Sequence, residues 1–209
     1  LENFQGRLPF CGENKKGGLW MKLRKDLGKV LVVLMATALV FGALPTLALA
    51  KSEALMVKGV EMMIKANEVL KGAVGTIQKG QKMYVQICQD KGCLTDVAKG
   101  NQMINDGLKM GGKGLTLLEE GQVQYKKAKG KNLQATKAGA VKMTEGGKMV
   151  QDALNMISDG VKTNNLALEA KKMTSEVIAP SKTIVAGVSS GLTGIKQFLD
   201  GQKLFLQNK

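Results

Sequence analysis

The chain has 209 residues, with 31 Lys and Arg against 17 Asp and Glu, no histidine, and a net charge of +14. Without histidine there is no Ser-His-Asp or Cys-His nucleophile system, no HExxH zinc site and no Glu-x-x-His di-iron site, so an enzyme is not expected. Aromatic residues are 4% of the chain and no arginine follows residue 50, which argues against specific nucleic-acid recognition.

Residues 1–20 are polar and glycine-rich, with no apolar period. Met21 opens a basic segment (Lys22, Arg24, Lys25, Lys29), followed by an apolar core from Val30 to Leu44 and the small-residue run Ala48-Leu49-Ala50. These are the three parts of a secretory signal peptide, and cleavage is expected after Ala50. Gly42 and Pro45 interrupt the apolar run, and no cysteine follows the cleavage site to carry a lipid. Lys16-Gly17-Gly18 can be encoded by a ribosome-binding sequence, so residues 1–20 are expected to be an untranslated upstream artefact and 21–50 a leader. Residues 51–209 then form one exported domain, periplasmic or extracellular, long enough for a core of its own. This stretch holds 24 lysines, no arginine and 14 acidic residues, a balance of +10.

The first helix is predicted over Ser52–Ile87, with Leu55, Met62, Met63, Val69, Leu70, Ile77, Met83 and Tyr84 on its apolar face. Gly59, Ala66, Ala73 and Gly80 recur on it every seventh residue. Asp90-Lys91-Gly92 reads as a turn, and Thr95 or Asp96 as a cap for the next helix. Cys88 and Cys93 flank that turn. In an oxidising compartment they are expected to form a disulfide, since a metal would need more ligands than two cysteines and there is no histidine to supply them.

The second helix is predicted over Thr95–Lys129. It carries glycine at Gly100, Gly107, Gly114 and Gly121, again seven apart. Seven residues are two turns, so these lie on one stripe. Each interior glycine costs about 0.8–1 kcal/mol against alanine, and that cost implies a packing reason. The reason inferred is close approach of a neighbouring backbone. Met103, Ile104, Leu108, Met110, Leu115, Leu117 and Leu118 flank the stripe.

Gly130, Lys131 and Asn132 stop this helix and cap a third over Leu133–Lys171, with a break expected near Asn164-Asn165. Its stripe is Gly139, Gly146, Ala153 and Gly160. GNQMINDGLKMGGKG from Gly100 resembles GGKMVQDALNMISDG from Gly146, which suggests an internal helical repeat. Ala179-Pro180-Ser181 reads as a turn before a fourth helix over Lys182–Leu206, striped by Gly187, Gly194 and Gly201.

Short connections favour antiparallel neighbours. The expectation is therefore an all-α, elongated antiparallel four-helix bundle or coiled coil with heptad-spaced Gly/Ala stripes. Lysines are spread over every helix, with Lys126, Lys127, Lys129, Lys131, Lys171 and Lys172 the densest groups. They point to an anionic envelope surface, such as lipid headgroups, lipopolysaccharide or an acidic polymer, or to another envelope protein. A homo-oligomer is left open. The alternative is a membrane-active protein whose glycine-striped helices insert or assemble in a bilayer. A mean hydropathy of −0.05 and the lack of an 18-residue apolar run after Ala50 count against it. A lesser reading is Cu(I) binding by some of the ten methionines after residue 50, against which core packing is weighed. No cofactor and no resident metal are expected.

Overall fold

The computed structural model describes residues 53–173 and 175–208. The expected leader, its cleavage site and residues 1–20 lie outside the described residues. Among the described residues there are four helices and no strand: α1 (Glu53–Asp90), α2 (Ala98–Ala128), α3 (Leu133–Ala170) and α4 (Ile178–Asn208).

Three boundaries differ from the sequence expectation. Neither Thr95 nor Asp96 caps α2. That helix starts after Val97, which makes no side-chain cap bond, and Asp96 instead pairs with Lys171 at 3.4 Å. Helix α3 runs unbroken through Asn164, whose buried amide donates to Asn101 Oδ1 at 2.9 Å. An asparagine with a side-chain partner across the core has no need to compete for its own backbone. Pro180 lies inside the first turn of α4, where a missing N–H costs nothing because the residue four positions back lies outside the helix. Asn132 does cap α3, accepting from Ala135 N at 2.9 Å.

Each helix packs one principal partner along its length. Helix α2 lies on α3, and α1 on α4; the remaining contacts are sparser. The side chains four residues beyond each stripe position turn inward. On α1 these are Met63, Leu70, Ile77 and Tyr84, and on α3 Met143, Val150 and Ile157, all at most 1% exposed. Several side chains expected on the apolar faces are outside this core: Leu55 is 42% exposed and Met83 40%.

The chain is built twice. Helices α1 and α3 are both 38 residues long and start 80 residues apart, while α2 and α4 are both 31 residues and also start 80 apart. Buried residues match at the same offset: Met63 with Met143, Ile77 with Ile157, Ile104 with Ile184, Leu118 with Phe198, and Tyr125 with Phe205. So do the turns. Cys93 N donates to Cys88 O at 2.9 Å, and Met173 N to Leu168 O at 3.0 Å. Gly92 (φ 71°) and Lys172 (φ 58°) take the same left-handed conformation. This corrects the expected repeat. The similar segments beginning at Gly100 and Gly146 lie on the two helices that pack together, whereas the structural unit is a helical hairpin, α1–α2 repeated as α3–α4.

Both tight helix pairs therefore join one half of the chain to the other. Where the pairs meet, small residues admit large ones. The Phe198 ring fills the space a Cβ on Gly147 would need, and Leu154 Cδ1 lies 2.8 Å from the corresponding point on Gly191.

Candidate functional site

The stripe residues are where helix backbones come closest. A Cβ on Gly114 would lie 2.8 Å from Gly146 O, one on Gly121 2.6 Å from Gly139 O, and one on Gly107 2.9 Å from Ala153 O. Gly100 faces Gly160 O and the Asn164 amide in the same way. Residue numbers rise along α2 as they fall along α3. On the other pair, Gly59 meets Gly201 O at 2.5 Å, Gly187 meets Ala73 O at 3.0 Å, and Gly80 meets Pro180 O at 3.2 Å. Gly194 meets Leu70 Cδ2 at 2.9 Å. Ala66, Ala73 and Ala153 are buried at their stripe positions. By contrast, a Cβ on Gly72, Gly75 or Gly112 would meet nothing within 4 Å, and these glycines have no stripe spacing.

Cys88 and Cys93 are both buried, and in the structure they are free thiols. The structure thus holds no disulfide between them, although the two side chains are in hydrogen-bond contact. Burial, and then that contact, pushes the Cys88 thiol up to about 12. Tyr84, next to the pair and 1% exposed, is also held well above the usual phenol range by burial. Nearby, Asn101 Oδ1 accepts from both Gln81 Nε2 at 3.1 Å and Asn164 Nδ2 at 2.9 Å. Sequence reading missed this three-helix amide cluster. The only signal was polar residues at core-facing positions, which pattern reading takes for a helix break or a solvent face.

The lysines do not form one patch. Lys126 and Lys127 end α2, and Lys129 and Lys131 lie in the turn to α3. Lys171 and Lys172 follow the far end of α3. At ~1.5 Å per residue that helix separates the two groups by about 57 Å. Within them, Lys129 bonds Glu61 at 3.0 Å, a contact that raises its pKa, and Lys171 pairs with Asp96 at 3.4 Å. Lys126, Lys127, Lys131 and Lys172 have no ion pair among the described residues. Lys71 bridges Glu68 and Glu119, and Lys142 reaches Glu120. Such exposed pairs contribute about 0–1 kcal/mol each.

Of the ten methionines after residue 50, Met56, Met63 and Met143 are core residues, Met83 is exposed, and the rest are partly buried. Three of the ten are thus fully in the core, and six more lie on faces at least partly covered. Among the described residues no group of three Cys, Asp or Glu could hold a metal, and no helix is long and apolar enough to cross a membrane. These features describe an all-helical bundle with two backbone-close helix pairs, a buried thiol pair and two basic ends. No protein-family model, curated protein or solved structure matches the chain.

Proposed function

We propose that this is an exported, non-enzymatic helical-bundle protein with a structural or binding role at an anionic surface of the cell envelope. The observation that carries the reading is the charge of residues 51–209, where 24 lysines outnumber 14 acidic residues, and among the described residues most lysines lie outside any ion pair. Attraction of this kind needs no pocket, only a high density of mobile cations facing anionic headgroups or polymer. The two basic ends offer separate contact points. On this reading the leader is removed, and the intact mass of the exported chain starts at or within a residue or two of Lys51.

The Gly/Ala stripes are read as the seams of an antiparallel coiled coil, supported by the Cβ-to-backbone distances along both pairs. The disulfide between Cys88 and Cys93 belongs to the same proposal. Adjacent thiols in an oxidising compartment support it, and its short loop limits the gain to about 2 kcal/mol.

Co-sedimentation with vesicles tests the surface role. Binding is expected with anionic vesicles at low salt and should fade near 0.15 M salt, where screening shortens the reach of charge to about 8 Å. Absence of binding to anionic vesicles at low salt would overturn the lipid form of the proposal. Salt-resistant binding to neutral vesicles would replace it with insertion.

A further inference from the structure

Both close helix pairs carry apolar side chains along the edge that faces away from the core, but the charge beside those edges differs. On the α1/α4 pair, Met62, Val69 and Leu204 flank the stripes. A Cβ on Gly201 would lie 2.9 Å from Met62 Cβ, one on Gly194 3.2 Å from Val69 Cγ1, and one on Gly59 3.1 Å from Leu204 Cβ. All three side chains are only partly buried. Leu55, seven residues before Met62, and Met83, fourteen after Val69, extend the same file along α1. They are 42% and 40% exposed. The file is an apolar edge interrupted only by Thr76.

Lysines border this edge. Lys58 lies three residues after Leu55 and four before Met62. Lys65 stands likewise between Met62 and Val69, and Lys79 between Thr76 and Met83. Residues three and four apart are neighbours on a helix surface, so each lysine adjoins two positions of the file. On α4, Lys182, Lys196 and Lys203 each directly precede Thr183, Gln197 and Leu204. All six lysines are exposed, and none is in an ion pair among the described residues. The nearby acids Glu61 and Glu68 are engaged by Lys129 and Lys71, and Asp200 is the acid on α4.

The duplicated architecture supplies the control. Eighty residues on, the positions of Lys58, Lys65 and Lys79 are Ala138, Glu145 and Asp159, and that of Gly72 is Asp152. The α2/α3 edge has partly buried apolar residues of its own, Met149 and Met156 among them. The two edges thus share apolar character and differ in sign of charge. The backbone arrangement is the same on both sides, so packing does not set that sign.

We infer, resting on the anionic-surface reading above, that the α1/α4 edge is the face that docks on an anionic lipid bilayer. Lys58, Lys65 and Lys79 engage headgroup phosphates, while Leu55, Met62 and Met83 enter the boundary between headgroups and acyl chains. Lysines are drawn to the negative leaflet, and apolar side chains left half in water gain by burial at the interface. An acidic polymer would use the lysines but offers nothing to the exposed apolar file, and that file is what favours lipid. The helices lie along the surface: among the described residues none is long and apolar enough to cross it.

The test uses the chain as recovered after export, with vesicles of phosphatidylcholine and phosphatidylglycerol at low salt. Lys58→Gln combined with Lys65→Gln and Lys79→Gln should weaken binding by at least about tenfold, since each lysine near such a surface is worth about a factor of five. Lys99→Gln combined with Lys109→Gln and Lys113→Gln removes the same charge from α2, and should weaken it far less. Thermal melts of both variants should match the parent. In bicelles of the same composition, a spin-labelled lipid should broaden the ε-methyl signals of Met62 and Met83 more than those of Met110 and Met149. If the parent does not bind anionic vesicles, the surface role and this face fall together. If it binds but the two triple variants lose equally, the surface role stands and the face is overturned. If the lysine variants differ as expected but the Met62 and Met83 signals are untouched by the lipid label, the contact is with charge alone and lipid docking is overturned.

Discussion

At the residue scale, the same residue type has opposite value depending on what a Cβ would meet. On Gly107 it would lie 2.6 Å from Ile157 Cγ1 and 2.9 Å from Ala153 O, whereas on Gly112 it meets nothing. Gly107→Leu should therefore destabilise by overpacking, typically about 1–3 kcal/mol. Gly112→Ala should stabilise by up to about 1 kcal/mol through helix propensity alone. Gly107→Ala should also cost stability, though less than leucine, because the alanine at 153 already stands opposite. Thermal melts of the three variants decide it, and a higher melting temperature for Gly107→Leu would remove the seam. The thiols give a prediction in pH. With both reduced, the Cys88 pKa rises from an ordinary 9.0 to about 12 in the folded chain. The folded state therefore holds a proton that the unfolded state releases. The sign follows: stability is unaffected well below pH 9 and falls as pH rises from 9 towards 12. Cys88→Leu with Cys93→Met installs the residues found at 168 and 173, where the same turn forms without sulfhydryls. That variant should fold normally and lose the Cys88 part of the alkaline slope in urea melts recorded across this range. Tyr84 adds a further slope of the same sign, so the variant's curve should flatten without becoming level.

At the scale of the helices, what was legible in the sequence was what repeats locally. Seven-residue glycine spacing and flanking apolar residues are enough for the four helices, and Asn132 for the cap of α3. What was not legible depends on a partner far away in sequence. Asn164 reads as a breaker until Asn101 is placed beside it, and Asp96 reads as a cap until Lys171 is. Pro180 reads as a turn because local rules do not say which turn of a helix it occupies. The 80-residue repeat was hidden for a related reason: any two heptad stripes resemble each other, so the seam partners Gly100–Gly114 and Gly146–Gly160 matched before the true halves did. The lysine clusters looked like one feature, but a single 38-residue helix holds them apart. The amide cluster supports a prediction of paired signs. Asn101→Leu strands two buried donors, on Gln81 and Asn164, each costing about 1–3 kcal/mol. Asn67 is fully buried, and its amide has no hydrogen-bond partner among the described residues. Asn67→Leu should thus be neutral or stabilising. Chemical denaturation of both variants checks this, and equal losses would show that the cluster holds nothing together.

At the scale of the whole chain, the arrangement of seams decides how the molecule comes apart. Here α1 closes on α4 and α2 on α3, so both close helix pairs cross the boundary between halves. The contacts inside each hairpin, α1 with α2 and α3 with α4, are the sparse ones. Much of each half's apolar face is therefore covered by the other half, including Ile77 beside Gly187 and Val150 beside Gly114. Burying such a side chain contributes about 1.5–3 kcal/mol, which a separated hairpin would largely forfeit. The link between halves is only the turn Lys129–Asn132, and its residues 129–132 are exposed. Cutting that turn removes one covalent connection and no seam. A specific protease site inserted at Gly130 should be tolerated, because exposed loop tips accept insertions. After cleavage, the two fragments should elute together at the size of the uncut chain, with its helical signal retained. They should part only in denaturant, in one transition at a midpoint that falls on dilution, since association has become bimolecular. If the fragments instead elute separately while both remain helical, each hairpin holds its own fold and the seams between them are secondary. If they separate and lose their helicity, the turn was supplying the effective concentration that both seams depend on.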